Sequence, residues 1–123
     1  MKKNRDYTSR QYWNGMIKMS LSRFFILRVL WEQPMHGYKI AKTVESLTEG
    51  CCSPTEGTMY PVLREFESYG LVRAEEQSVG SRNRKVYTLT DKGKEAFSVA
   101  VGVWNEVTQH IVQSVRLTNR KKS

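Results

Sequence analysis

Residues 53–71, SPTEGTMYPVLREFESYGL, decide the fold of this chain. Four apolar side chains recur there at the spacing of one helical face: Met59, Val62, Leu63 and Phe66. The opposite, outward face then consists of Gly57, Pro61, Arg64 and Ser68. The stretch therefore predicts a helix whose outer side is small and polar and can lie close against another molecule.

Two patterns compete for the start of this helix. Ser53 and Glu56 form a capping box with a proline at the first helical position, and Thr55 is a competing cap. We expect the helix between Ser53 and Tyr69. Pro61 inside it predicts a kink or a late start, because proline lacks the N–H that a helix interior uses.

Two further helices precede this one. The first is expected from about Gln11 to Glu32, with Gly15 as a point where it can break, and the proline at position 34 ends it. The second is expected from about His36 or Gly37 to Leu47. Residues 24–31 are apolar nearly all round, which predicts that a second chain helps to cover the first helix.

A β-hairpin is expected after the third helix. Its strands are residues 71–77 and 84–90, and a turn region over residues 78–83 joins them. Residues 85–89, KVYTL, are rich in strand formers, which favours this interpretation.

A long last helix, capped by Thr90 or Asp91, is expected to run to about Leu117. It carries an apolar stripe made of Phe97, Val101, Trp104, Ile111 and Val115, widened by Ala100, Val103 and Val107. A small three-helix core cannot cover so long a stripe. Its far end is therefore expected to pack on a second copy of the chain in a homodimer.

Three motifs in order resemble the PadR family of transcriptional regulators. They are PMHGY at 34–38, GTMYPVL at 57–63 with the following Glu67 and GLV at 70–72, and GSRNRKVYTLTDKG at 80–93. The resemblance implies a winged helix-turn-helix fold, mainly α with a small β-hairpin, and a long C-terminal dimerisation helix. It makes the third helix the recognition helix and the hairpin the wing.

Four segments follow from this interpretation. They are a flexible basic N-terminus at 1–10, a winged helix DNA-binding domain at 11–93, a C-terminal dimerisation helix at 94–117 and a basic tail at 118–123.

The net charge of +8 favours an anionic partner, either nucleic acid or an anionic membrane. No apolar run suits a membrane span or a secretory signal, and two adjacent cysteines form no disulfide framework. We therefore expect a cytoplasmic protein that binds double-stranded DNA.

Hydroxyl groups and cations on three elements are the expected DNA contacts, since they suit phosphates and base edges. Tyr60 has an alternative role as a partly buried packing residue. The expected contacts are Tyr38 and Lys39 at the start of the second helix, Thr58, Tyr60 and Arg64 on the third, and Arg82, Arg84 and Lys85 in the hairpin.

Cys51 and Cys52 are the feature that the resemblance does not supply. If Ser53 is the cap, both thiols lie just outside a helix N-terminus, where the dipole favours thiolate. A soft effector such as As(III), Sb(III) or Hg(II) bound there could tilt the recognition helix. Two thiolates satisfy Hg(II), whereas a three-sulfur metalloid site needs another ligand. The alternative is that the thiols fill a corner of the core.

The sequence predicts a dimeric repressor that an effector releases, with no obligatory cofactor. One alternative effector is a small aromatic or drug-like molecule near Trp104, where the resemblance places the effector-contacting tryptophan of some multidrug-binding members. Trp104 can equally be dimer core. A constitutive architectural nucleic-acid-binding protein is an alternative of another class. A thiol enzyme is not expected, because no base stands near the cysteines in sequence.

Overall fold

The computed structural model describes residues 6–80 and 82–122. Its elements follow in the order α1 (Arg10–Glu32), β1 (Met35–His36), α2 (Gly37–Leu47), α3 (Glu56–Ser68), β2 (Val72–Val79), β3 (Arg82–Leu89) and α4 (Asp91–Lys122). The mainly helical fold with a small antiparallel sheet and a long last helix is confirmed. Among the helices described, none combines the length and apolar character that crossing a bilayer requires.

Helix α1 forms without the break expected near Gly15. The Ser9 hydroxyl accepts a hydrogen bond from the Gln11 N–H at 3.1 Å and caps the start. One glycine weakens a helix by about 1 kcal/mol relative to alanine, too little to interrupt 23 residues that pack on a core. The helix ends at Glu32, and Gln33 is extended before the proline, as expected.

Helix α3 begins at Glu56 with Thr55 in the cap position, so the Ser53 capping box is wrong. The Ser53 hydroxyl instead donates to the Ala41 carbonyl oxygen at 3.4 Å, so the Ser53 side chain contacts α2 rather than the start of α3. The late start expected at Pro61 is also wrong. The first turn closes upstream of the proline, where the Met59 N–H donates to the Thr55 carbonyl oxygen at 2.8 Å.

The hairpin is tighter than the sequence predicts. Val79 pairs with Arg82 in the β2–β3 register, so only residues 80–81 lie between the strands and the expected turn at 78–83 is wrong. Gly80 has a φ of 63°, the left-handed conformation that two-residue hairpin turns favour. The polar strand ends carry no apolar alternation, which is why sequence patterning missed them. Strand β1, only two residues long, pairs antiparallel with β3 and was also not expected.

The core lies between α1, α2, α3 and the inner face of the sheet. The side chains most deeply enclosed are Ile26, Val29, Ile40, Val44, Met59 and Leu63. Helix α4 is attached to this core at its first turn. The Thr90 hydroxyl oxygen accepts from the Gly93 N–H at 3.0 Å, which confirms Thr90 as the cap.

Helix α4 starts at Asp91, next to the expected cap, and continues to Lys122, beyond the end expected near Leu117 and through most of the basic tail expected at 118–123. The division of the chain into four segments stays a prediction. Residues 1–5 of the basic N-terminus expected at 1–10 lie outside the described residues, and so does Ser123. Arg10 already belongs to α1.

Candidate nucleic-acid interface

The outward face of α3 is the centre of the candidate interface. Its core-facing side chains are those expected: Met59, Val62, Leu63 and Phe66, each at most 5% exposed. Thr58, Pro61 and Arg64 are exposed, and Tyr60 is half-buried at the edge of the face. The helix therefore presents one cation, the aliphatic hydroxyls of Thr58 and Ser68, and one phenol along a surface of low bulk.

A cleft of about 790 Å³ joins this face to the start of α2 and to β3. We call it the α2–α3–β3 cleft. Five of the eight expected DNA contacts line it, namely Tyr38, Tyr60, Arg64, Arg84 and Lys85. Three further lining side chains were not expected from the sequence: His36, Glu56 and Tyr87. The pairing of β1 with β3 brings His36 and Tyr87 there, and no periodicity in the sequence signals so short a strand. Glu56 comes from the first turn of α3.

Tyr60 fixes how closely α2 and α3 approach each other. A Cβ atom added at Gly37 would lie 2.7 Å from Tyr60 Cε1 and 2.8 Å from the Tyr60 hydroxyl oxygen. The ring therefore fills the space that glycine leaves at the start of α2. Tyr60 accordingly packs, as its alternative role predicts, while it also lines the cleft.

The lining of the cleft contains three cations and one carboxylate, Glu56. Another carboxylate on α3, Glu65, is engaged elsewhere: Arg23 donates to it from α1 at 3.1 Å. That hydrogen bond lowers the pKa of Glu65 below its ordinary value, so Glu65 stays ionised and paired. Burial raises the pKa of Tyr87, whose phenol keeps its proton at neutral pH and remains a donor. The lining of the cleft thus has a net positive charge, and Glu67 of α3 adds a negative charge that acts on Tyr87.

The remaining expected contacts lie apart from the cleft. Lys39 borders a separate groove between α1 and α2, together with Lys42. Lys42 Nζ lies 5.5 Å from the centre of the Tyr38 ring, in cation–π range. The Thr58 hydroxyl oxygen lies 3.2 Å from that of Thr55, within hydrogen-bond distance. The Arg82 side chain lies outside the described part of the chain.

Helix α4 leaves an apolar face uncovered. Every side chain from residue 105 to residue 119 is exposed in the single chain. The apolar ones include Val107 at 41%, Ile111 at 58%, Val112 at 58% and Val115 at 50% exposed. Trp104 is half-buried, and Phe97 belongs to the chain's own core, where it packs on Phe24 and Trp31.

The cysteines lie in the loop between α2 and α3 rather than next to a helix N-terminus. Helix α3 begins four residues after Cys52, so the helix-dipole argument for a thiolate does not apply. Cys51 is exposed, Cys52 is fully buried, and a disulfide joins them. Within residues 6–80 and 82–122, no group of three or more His, Cys, Asp or Glu side chains is arranged to hold a metal ion.

Solved structures with the same fold include one that contains DNA. Bacillus subtilis PadR, solved in complex with operator DNA, is 25% identical with a TM-score of 0.60 over 64% of this chain and 45% of its own. A PadR family transcription regulator from Clostridium difficile R20291 is 28% identical with a TM-score of 0.67 over 77% of this chain and 98% of its own.

A curated relative is similar in sequence over more than half of the chain. It is the transcriptional regulator YqjI of Escherichia coli, 33% identical over 73 residues, which are 59% of this chain. The match covers 34% of that protein, so this chain spans about a third of the relative's length. Residues 26–99, more than half of the chain, match the family described as transcriptional regulator PadR-like. The chain belongs to this PadR-like family of transcriptional regulators.

Proposed function

We propose that this chain is a homodimeric, sequence-specific DNA-binding repressor that an effector releases from its operator. The observation that carries the proposal is the α2–α3–β3 cleft, where Arg64, Arg84 and Lys85 converge with three tyrosines. Cations and phenols on one surface suit phosphates and base edges together. A similar fold in Bacillus subtilis PadR was solved with operator DNA, which supports the same partner here. A cytoplasmic location is part of this proposal.

Helix α3 is the proposed reading element. Its 13 residues extend over about 20 Å, and a major groove about 12 Å wide admits an α-helix. Pro61 and Gly57 place little side-chain volume on the outer face of α3, so the backbone of the helix can approach the bases. Arg64 then reaches a guanine edge or a phosphate, and Thr58 contacts the neighbouring positions.

The β2–β3 hairpin is the proposed backbone contact. Arg84 and Lys85 are exposed on β3 and border the same cleft as Arg64. Arg82 belongs to the pair next to the turn, opposite Val79, and is expected to extend the cationic surface. A cationic hairpin beside a helix in the major groove suits the adjacent phosphates or minor groove.

We expect Arg64→Ala to weaken DNA binding about 10- to 100-fold, because one good base contact contributes about 1–3 kcal/mol. The pair Arg82→Ala, Arg84→Ala should weaken binding and lower the salt slope by about one unit for each DNA phosphate that the variant no longer neutralises. Fluorescence anisotropy at several salt concentrations measures both effects.

Arg116→Ala is the matched control, since it removes an exposed cation far along α4. It should leave affinity for DNA nearly unchanged. Equal losses in all three proteins would mean that net charge alone attracts DNA, and the cleft would not be the binding surface.

The effector proposed for the cysteines is As(III), Sb(III) or Hg(II), bound after reduction of the disulfide. Cys52 lies three residues before Thr55, the cap of α3, so a metal–thiolate bond would act on the start of that helix. We expect one of these ions to release reduced protein from DNA, and Cys51→Ser or Cys52→Ser to prevent release while sparing affinity. If the wild type stays bound at saturating ion, the pair has no metal-sensing role.

Two other candidates remain for regulation and function. An aromatic effector near Trp104 is favoured by a neighbouring pocket of about 480 Å³ that Phe24, Trp31 and Val101 line.

A constitutive architectural protein would bind DNA with little sequence discrimination and without an effector. A thiol enzyme is disfavoured if the Cys51→Ser, Cys52→Ser double variant binds DNA normally.

A further inference from the structure

The two adjacent cysteines have opposite environments. Cys51 is exposed, whereas Cys52 has no exposed surface and lies among the buried side chains. The loop that carries them is held in place, since Thr48 accepts from both: its carbonyl oxygen from the Cys51 N–H at 3.1 Å and its hydroxyl from the Cys52 N–H at 3.2 Å. Only one of the two sulfur atoms is therefore reachable by a molecule in solution.

Cys51 also borders a cleft between the first half of α1 and the α2–α3 loop. This Cys51 cleft has a volume of about 670 Å³. Its polar lining comprises the cations Arg10 and Lys18, the amides Gln11 and Asn14, and one carboxylate, Glu49. Two cations and two amide groups against one carboxylate favour a small anionic occupant. The thiolate is the form of cysteine that attacks a disulfide.

The backbone aims Cys51 toward this cleft. Glu49 and Gly50 both adopt left-handed conformations, with φ of 52° and 81°, and the Gly50 N–H donates to the Glu45 carbonyl oxygen at 2.8 Å. This closes α2 with a Schellman turn and reverses the chain directly before Cys51. A fixed turn, an exposed sulfur and a cationic cleft thus occur together.

We propose that Cys51 is a thiol–disulfide exchange site for a small disulfide bearing carboxylate groups, and that Cys52 is the resolving thiol. The Cys51 thiolate attacks one sulfur of R–S–S–R, which forms the Cys51–S–S–R bond and releases RS⁻. The Cys52 thiolate, its proton passed to water, then attacks Cys51 Sγ and releases the second RS⁻. Two protein thiols lose two electrons and two protons, and the small disulfide gains both as two thiols.

The product of these two steps is the Cys51–Cys52 disulfide that the structure contains. The exchange does not depend on DNA binding, whereas any effect on α3 rests on the proposed function. The same disulfide excludes As(III), Sb(III) and Hg(II), because neither sulfur atom is then a thiolate.

Intact mass spectrometry of the full chain, reduced and then mixed with oxidised glutathione, tests the proposal. Cys52→Ser should accumulate one glutathionyl group, because no second thiol resolves it. Wild-type protein should proceed to the internal disulfide with loss of two hydrogens, and Cys51→Ser should react far more slowly. Equal reaction of Cys51→Ser, or a wild type that keeps the glutathionyl group, would overturn the assignment of the two roles.

The cationic lining has its own control. With Cys52→Ser as background, Arg10→Gln, Lys18→Gln should slow the reaction with oxidised glutathione about two- to fourfold, and high salt should remove the difference. The neutral reagent 2-hydroxyethyl disulfide should react at an unchanged rate. Arg73→Gln, Lys94→Gln removes two exposed cations that do not line the cleft and should change neither rate. An equal slowing by both double variants would contradict the proposed anion preference.

Discussion

Gly93→Ala is expected to destabilise the fold by about 3 kcal/mol or more, the range of severe overpacking and backbone displacement. A Cβ atom at residue 93 would overlap the Leu71 carbonyl oxygen and lie 2.6 Å from Leu89 Cδ1. The carbonyl cannot move freely, because it accepts from the Thr90 N–H at 3.0 Å. The first turn of α4 would therefore have to shift away from the end of α3.

Gly15→Ala is the matched control for this substitution. A Cβ atom at Gly15 would meet nothing within 4 Å, and Gly15 lies inside α1. Alanine there should raise the free energy of unfolding by up to about 1 kcal/mol. Urea denaturation at one fixed protein concentration measures both variants, since dimer stability depends on concentration. A Gly93→Ala protein as stable as wild type would contradict the close packing of Gly93 against Leu71 and Leu89.

Ile111→Glu is expected to convert the proposed homodimer to monomer. Ile111 is exposed in the single chain, so the change should leave the fold of each protomer intact. In a two-fold interface one substitution places two carboxylates in the buried surface. An unpaired buried charge costs several kcal/mol, which corresponds to an increase of about 100-fold or more in the dimer Kd. Trp104→Glu should act in the same direction.

Light scattering coupled to size-exclusion chromatography reports the mass of each variant. Gln113→Glu is the control, because residue 113 lies on the side of α4 opposite the apolar stripe. It adds the same charge and should remain dimeric. A fully dimeric Ile111→Glu protein would place the interface elsewhere.

The sequence predicts the helices well where burial imposes a period on the chain. Helix α2 has the expected bounds, and α3 buries the four side chains that its spacing predicts. Prediction failed where hydrogen bonds between segments distant in sequence decide. The Ser53 hydroxyl bonds to Ala41 on a neighbouring helix, a contact 12 residues away that a local capping pattern cannot contain. The polar hairpin ends likewise pair through their backbones and leave no side-chain pattern.

The candidate site shows the same division. The resemblance and the outward face of α3 indicated Tyr60, Arg64, Arg84 and Lys85, and the structure places all four in one cleft. Lys39 could not be assigned from helical spacing, because the groove it borders depends on how α1 packs against α2. The different burial of the two adjacent cysteines could not be predicted either, because it follows from tertiary packing alone.

The central claim, that this chain reads a specific DNA sequence as a dimer, is tested most directly by selection from a random duplex library with the full-length protein. The proposal predicts an enriched inverted repeat with half-sites about one helical turn apart. It also predicts at least about a 1,000-fold preference for that repeat over unrelated duplex at the same salt. Arg64→Ala should lose most of the enrichment. Recovery of no common motif, with similar affinity for every duplex, would contradict the claim and favour an architectural protein instead.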